Sequence, residues 1–386
     1  ADEITLYTGN DDNIVADLVT PFTFTVDGKT VDYRNLYTKY VGTTASVDTS
    51  WYSVYGAGAG EYVIATSADL YGLPALTNKG TYKFGNQTVY VIADIEVNKG
   101  TATPTGWNAD EGGTAYPWTP IQEFYGTFDG QEHTIKGIQV QQSIAYCGFF
   151  GYTNSGQNVV IKNFRLENSY FGQSSKNGLG SIVGWGEGGT IQNVYSNAYV
   201  YKTGGEYSGG IVGFNYKSPM TIQNCRYAGV LTTDIGMAGG ILGSSLGSTA
   251  DITACSFTGE LISTANVHYF GGIVGVITAN SGNLTIKDCK SSGSIETVGW
   301  YSGGLVGMNN QTLTLTGCES SGSIKTSGHQ SGGLVGRNGS DSTMLTIKDC
   351  KSSSSIETSG TQFGGLVGLN EKALAITDCL FDGEIT

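Results

Sequence analysis

Gly303-Gly304-Leu305-Val306-Gly307 is the stretch on which the reading of this chain turns. GGLVG returns at Gly332 to Gly336 and at Gly364 to Gly368. Upstream, Gly209 to Gly213 and Gly271 to Gly275 read GGIVG, and Gly239 to Gly243 reads GGILG. Two weaker copies come earlier, GSIVG at Gly180 to Gly184 and GFFG at Gly148 to Gly151. Eight copies, with closing glycines 29 to 33 residues apart, mark a solenoid in which each repeat is one coil stacked on the last.

One unit runs Leu284-Thr-Ile-Lys-Asp-Cys289, then Gly293-Ser-Ile-Glu-Thr297, then Gly303 to Gly307. These are three short strand-like pieces separated by Gly, Ser and Asn turns. Alternation turns Leu284, Ile286 and, after a bend, Cys289 toward a core. Ile295 falls in a column with Val230, Leu261, Ile324, Ile356 and Ile385. The double glycine is expected to let the backbone turn sharply or adopt positive φ. A single coil cannot bury its own apolar face, so stability comes from stacking. Each buried Ile or Leu contributes on the order of 2 kcal/mol before entropy is counted.

Six of the seven cysteines stand at one repeat position: Cys225, Cys255, Cys289, Cys318, Cys350 and Cys379; the seventh is Cys147. Column neighbours in stacked coils lie ~4.8 Å apart with parallel side chains, whereas a disulfide needs Cβ atoms ~3.8 Å apart. The column therefore reads as buried free thiols acting as small hydrophobes. A zinc site would want Cys-x-x-Cys or histidine companions, which the column lacks. No metal or other cofactor is implied.

Charge is sparse and the formal net is −13, which disfavours nucleic acid and anionic lipid as partners. No apolar run approaches ~18 residues, so no membrane-spanning helix is expected. The chain opens at Ala1-Asp2-Glu3 without a visible signal peptide.

Residues 1 to 50 show no copy of the repeat and read as a small β-rich N-terminal segment. Phe22 to Val26 alternates, meets the turn pair Asp27-Gly28, and has a return strand in Thr30 to Tyr33. Asn10-Asp11-Asp12-Asn13 is an oxygen-rich loop that reads as solvated. Residues 51 to 140 read as an N-terminal cap and the first coils. Tyr62 to Thr66 is strand-like, and Leu70, Leu73 and Leu76 fall at helical spacing behind Ser67 as N-cap. Pro74 predicts a short or broken helix there. An apolar helix before a solenoid covers the first coil's open edge. Strands follow at Thr88 to Ile92, Ile95 to Val97 and Thr134 to Val140, with 99 to 120 as a long loop. Residues 141 to 386 form the repeat region.

The order Ala65-Thr-Ser-Ala-Asp-Leu-Tyr-Gly-Leu73, Ala93-Asp-Ile-Glu-Val-Asn98, Trp118-Thr-Pro-Ile121, Phe124-Tyr-Gly-Thr-Phe-Asp-Gly-Gln-Glu-His-Thr-Ile-Lys-Gly-Ile138 and then the double-glycine repeats resembles the bacterial GLUG-motif family of secreted and cell-surface proteins. The resemblance covers roughly residues 51 to 386. It implies a right-handed parallel β-helix, and surface adhesion or carriage on larger surface proteins without a fixed enzymatic activity. Some members accompany an immunoglobulin-A metallopeptidase. That enzyme needs His-Glu-x-x-His, whereas His133 here is followed by Thr134-Ile135-Lys136.

The fold expectation is thus all-β, a right-handed parallel β-helix of about eight repeats with a helix-bearing N-terminal cap. Candidate sites are columns. Glu296, Lys325 and Glu357 alternate in sign and read as an exposed register ladder rather than an acid–base pair. Asn163, Asn193, Asn224, Asp288, Asp349 and Asp378 read as a turn column, interrupted by Ala254 and Gly317. The segment before the double glycine varies most. Tyr207, Tyr269 and Tyr301 share a column there, with Trp300 beside it. Exposed aromatics on a rigid wall stack on sugar rings, and the opposing reading is that they fill the glycine-rich corner.

Function is read at three levels. The first is a secreted or cell-surface adhesin-like module binding glycans or host surface proteins through Tyr207, Tyr269, Trp300 and Tyr301. The second is a structural spacer in a larger surface protein. The third is a polysaccharide lyase or glycosidase, for which Asp110, Glu111 and Asp129 are the acidic candidates. The sequence after the Ile385 column shows no cap, which predicts end-to-end association or a further domain.

Overall fold

A computed structural model describes residues 23–26, 29–32 and 47–386, apart from 55–59, 81, 111–114, 142–143, 155–157, 175–176 and 280–281. Contacts divide the chain into residues 1–41 and 42–386. In the first unit Thr23–Val26 and Lys29–Asp32 pair antiparallel, with Val26 opposite Lys29, as the Asp27-Gly28 signal predicts. The Asn10 to Asn13 loop lies outside the described residues.

The second unit is an all-β parallel solenoid of about ten turns. Each turn presents three faces. On the cysteine face, Leu284, Leu313, Leu345 and Leu374 pair in one column, and Ile286, Leu315, Ile347 and Ile376 in another. The isoleucine face is a nine-stranded ladder from Gln139–Val140 to Glu384–Ile385. The double-glycine face carries two ladders of short strands, such as Ser302–Gly303 and Val306–Asn309. There are more turns than double-glycine copies because Glu61–Ile64 and Thr88–Val91 begin coils that lack the motif.

The Ile column is one residue displaced from the sequence reading at one point. Leu231, not Val230, pairs with Leu261 and continues to Ile295, Ile324, Ile356 and Ile385. Leu231 is fully buried and Val230 is half-exposed opposite Glu260. Strand alternation makes such a slip flip the side chain to the other face. On the outer face Glu296, Lys325 and Glu357 do stack, with Lys325 Nζ 3.4 Å from Glu357 Oε1 in the open.

At the double glycine the backbone bends sharply between two short strands, as one of the two expectations has it, and it does so without positive φ. Neither Gly303 nor Gly304 has positive φ. A Cβ on Gly303 would sit 1.9 Å from the Val306 carbonyl oxygen; on Gly304 it would sit 2.0 Å from Ser320 Oγ and 2.2 Å from the Gly333 carbonyl oxygen. The motif is a close approach of backbones within and between coils. The left-handed residues lie elsewhere: Asp288 (φ 53°) before Cys289, and Tyr301 (φ 63°) before the glycines.

All seven cysteines are free; six are buried and Cys379 is half-buried. The Cys318 amide donates to Cys350 Sγ at 3.4 Å and the Cys350 amide to Cys379 Sγ at 3.4 Å, so the thiols tie coil to coil. The preceding column begins as an amide ladder. Asn163 Nδ2 donates to Asp129 Oδ1 (3.0 Å), Asn193 Nδ2 to Asn163 Oδ1 (2.8 Å), and Asn224 Nδ2 to Asn193 Oδ1 (2.9 Å). Inside the isoleucine face a second column holds hydroxyls. Thr297 Oγ1 and Thr326 Oγ1 accept from the amides of Gly299 and Gly328. In an earlier coil Lys202 takes this place, fully buried, paired in register with Thr233.

The cap contains α1 (Ser50–Val54) and α2 (Ser67–Thr77). Thr66, not Ser67, is the N-cap: its side chain accepts from the Asp69 amide while the Asp69 carboxylate accepts from the Thr66 amide. That reciprocal pair satisfies two end amides at once. The helix runs through Pro74 without breaking and is buried almost all round. Tyr71 Oη donates to the Tyr116 carbonyl and Asn78 Nδ2 to the Pro120 carbonyl, which fixes α2 on the second coil. Buried Trp51 of α1 packs on Tyr62 and Phe84. Residues 99 to 120 are not simply a loop, because Gly100–Thr103 and Gly106–Ala109 form an antiparallel hairpin. In the last coil Ile376 and Ile385 are 45% and 40% exposed, in columns where Ile347 and Ile356 are buried.

Candidate functional site

The candidate site is the outer wall of the double-glycine face. Three columns run along it. The first holds Tyr207, Met237, Tyr269, Tyr301, Gln330 and Gln362, each just before the paired residues Ser208, Ala238, Phe270, Ser302, Ser331 and Phe363. The second is the residue before, including His268, Trp300 and His329. The third follows the closing glycine of the motif: Tyr152, Trp185, Phe214, Ser244, Val276, Met308, Arg337 and Leu369.

From Met237 to Gln362 every residue of the first column has φ between 62° and 76°. Left-handed backbone at a bulky side chain costs about 1–2 kcal/mol. Here it turns the side chain out of the coil and onto the wall. Tyr269 and Tyr301 therefore stack, centroids 5.2 Å apart at 19°. Trp300 stands between His268 and His329, at 5.5 Å and 5.0 Å, and is 38% exposed. His268 Nδ1 accepts from the Trp300 amide at 3.1 Å and His329 Nδ1 from the Thr361 amide at 2.9 Å, so both rings link neighbouring coils. Burial holds His268 below its ordinary pKa. Arg337 lies 5.1 Å from the Tyr301 ring, donates to its hydroxyl at 3.1 Å, and is matched by Glu371 at 2.6 Å.

The structure thus brings Tyr269, Trp300 and Tyr301 together, and Tyr301 is the most covered of them at 9% exposure. Tyr207 is in their column but apart from them, because Met237 occupies the intervening coil. It belongs to a second patch. Its ring stacks on Phe214 at 3.8 Å and 5°, Phe214 meets Trp185 at 4.4 Å, and Tyr146 and Tyr216 reach Trp185 at 5.0 Å and 5.3 Å. Tyr152 adjoins Tyr146 at 5.5 Å. Burial and the neighbouring carboxylates of Glu206 and Glu187 push the hydroxyls of Tyr207 and Tyr152 up, so both remain protonated. The sequence carried a signal for this patch. The residue after the closing glycine is aromatic in three successive coils: Tyr152, Trp185 and Phe214.

Of the acids considered for an enzyme, Asp129 is 4% exposed and committed to structure. Burial raises its pKa, but the Gln131 amide, Asn163 and Lys162 outweigh this and hold the carboxyl below its ordinary value. Glu111 lies outside the described residues. Among the described residues no group of three or more His, Cys, Asp or Glu side chains is placed to hold a metal ion. Nor is any described helix long and apolar enough to cross a membrane.

No family model matches the chain. Over 166 residues, 43% of its length, it is 29% identical to halomucin of Haloquadratum walsbyi, and the match spans 2% of that protein. The solved structure of a proposed immunoglobulin A1 protease from Bacteroides ovatus aligns over 83% of this chain and 85% of its own, with a TM-score of 0.49 and 17% identity.

Proposed function

We propose that this solenoid is an adhesin-like binding module of a secreted or cell-surface protein, and that its ligands are glycans gripped on the double-glycine wall. The observation that carries the reading is Trp300: a large ring held partly exposed between two histidines, on a backbone fixed by coil-to-coil hydrogen bonds. Rigid, partly exposed aromatics present a stacking face at little entropic cost. The resemblance to the GLUG-motif family points to the same surface setting.

The test is binding of the purified chain to glycan and mucosal-protein arrays, beside Trp300→Ala and Tyr269→Ala. Selective glycan binding that Trp300→Ala loses, with an unchanged melting curve, supports the module. Binding unaffected by either change places the contact elsewhere. A structural spacer is the second reading, favoured by the mutual packing of Tyr269 and Tyr301, which leaves Tyr301 little free surface. It predicts no selective binding at all.

A further inference from the structure

The wall carries two aromatic patches that share the first column, the upstream one extending into the third column and the downstream one into the second. The upstream patch is centred on Trp185 and the downstream one on Trp300, four coils on. At ~4.8 Å per coil their centres lie about 19 Å apart along the solenoid axis. The coil between them presents Met237 and Ser244, the latter fully buried, so no bulky ring closes the gap. Two patches spaced along the axis suit a ligand that is itself a linear chain of stackable units. An extended pyranose chain advances by about one sugar per coil at that spacing.

The polar groups of the wall point to hydroxyls rather than ions as their partners. Trp185 Nε1 and Gln330 Oε1 lie covered without a hydrogen-bond partner, one donor in the upstream patch and one acceptor beyond the downstream one. Glu187 and Glu206 flank the upstream rings, and Lys217 lies 4.5 Å over the Tyr216 ring. Downstream, the Arg337 charge is already matched by Glu371. Carboxylates and amides beside aromatic faces suit neutral sugar hydroxyls, and neither patch offers an uncompensated cationic cluster for an acidic polysaccharide.

We propose that the upstream patch of Tyr146, Tyr152, Trp185, Tyr207 and Tyr216 is a second subsite, and that an extended, uncharged polysaccharide lying parallel to the solenoid axis engages both patches at once. This rests on the glycan-binding reading above. Two weak subsites bridged by one chain act as a bivalent pair, so affinity depends on whether the chain is long enough to span them.

The experiment is calorimetric titration with β-1,4-linked gluco-, manno- and N-acetylglucosamine oligosaccharides graded from two to eight sugars. Affinity should climb about 100-fold once the chain reaches about five or six sugars, and then level off. Trp185→Ala should reduce the longest chains to the affinity of the shortest and leave the shortest on the Trp300 subsite unchanged. Tyr216→Ser, at the patch rim, should do the same in part, and serves where Trp185→Ala fails to fold. Length-independent binding that only Trp300→Ala removes would overturn the second subsite while leaving the module intact. Equal loss for all lengths in Trp185→Ala and Tyr216→Ser would also overturn it. Binding of none of these chains would sink this proposal, and silence on every other glycan as well would take the module reading with it.

Discussion

Replacing Lys202 by Met should flatten the pH dependence of stability in a defined window. Lys202 lies in the interior column that holds small hydroxyls in the following coils, and its side chain is fully buried. Burial pushes its pKa down from 10.5 to about 8, against the nearby Cys147, Asp234 and Glu206. Below pH 8 the folded state carries a buried charge and the penalty is full. That penalty is about 3 kcal/mol at 1.36 kcal/mol per pH unit. Between pH 8 and 10.5 the unfolded chain binds more protons at this residue than the folded one, so its contribution to stability rises with pH. The two protonation curves give a relief of about 2 kcal/mol between pH 7 and pH 9.5.

Other groups titrate in the same range. Neighbouring thiols together with burial hold Cys255, Cys289, Cys318 and Cys350 above the ordinary thiol value in the fold, and burial does the same for Cys147 and Cys379. Above pH 9 their unfolded-state ionisation removes stability. This term is common to both proteins and cancels in their difference. The assay is urea unfolding of the native chain and Lys202→Met under reducing conditions at half-unit steps from pH 7 to 9.5. The difference in unfolding free energy should change by about 2 kcal/mol across the series. A difference that stays constant would refute the buried-ammonium argument, whatever its absolute size.

Ala254 holds φ 53° in a column where other coils use Asn, Asp or Gly. Ala254→Asn should stabilise the fold by about 1 kcal/mol in urea unfolding, by relieving a left-handed alanine and extending the amide ladder from Asn224. Native protein should give one readily alkylated thiol, Cys379, and seven in denaturant; several fast thiols in the native state would contradict the buried ladder. Gly304→Ala should cost about 1–3 kcal/mol or more through its forced contact with the next coil. Gly85→Ala should be near neutral, since a Cβ there meets nothing within 4 Å.

The repeat made most of the fold legible. GGLVG with its Ile and Cys columns set the coil length, and alternation assigned Leu284, Ile286 and Ile295 to the interior. Motif counting missed the coils begun by Glu61–Ile64 and Thr88–Val91, because those coils close with a helix and an inserted hairpin. Val230 is apolar and β-branched and so resembles a core residue, but both the Gly-x-Ile spacing from Gly229 and six residues counted from Cys225 reach Leu231, as they reach Ile295 from Gly293 and Cys289. The left-handed backbone at Tyr269 and Tyr301 has no compositional signature, since bulky residues seldom adopt it. The split of the aromatic column follows from Met237, which is visible in the sequence once the columns are aligned. Lys202 was legible in principle, two residues from Val200 on the same face, but a charge in that position reads as exposed until burial is seen.

The hydrogen bonds between coils run along the stacking direction, as in the Cys318-to-Cys350 and Asn193-to-Asn163 steps. A pull along that direction opens them by peeling, one coil after another, rather than shearing a whole sheet at once. Each released coil of 29 to 33 residues would pay out about 100 Å of chain. Under tension the molecule would behave as an extensible tether that yields stepwise and re-forms coil by coil when slack returns.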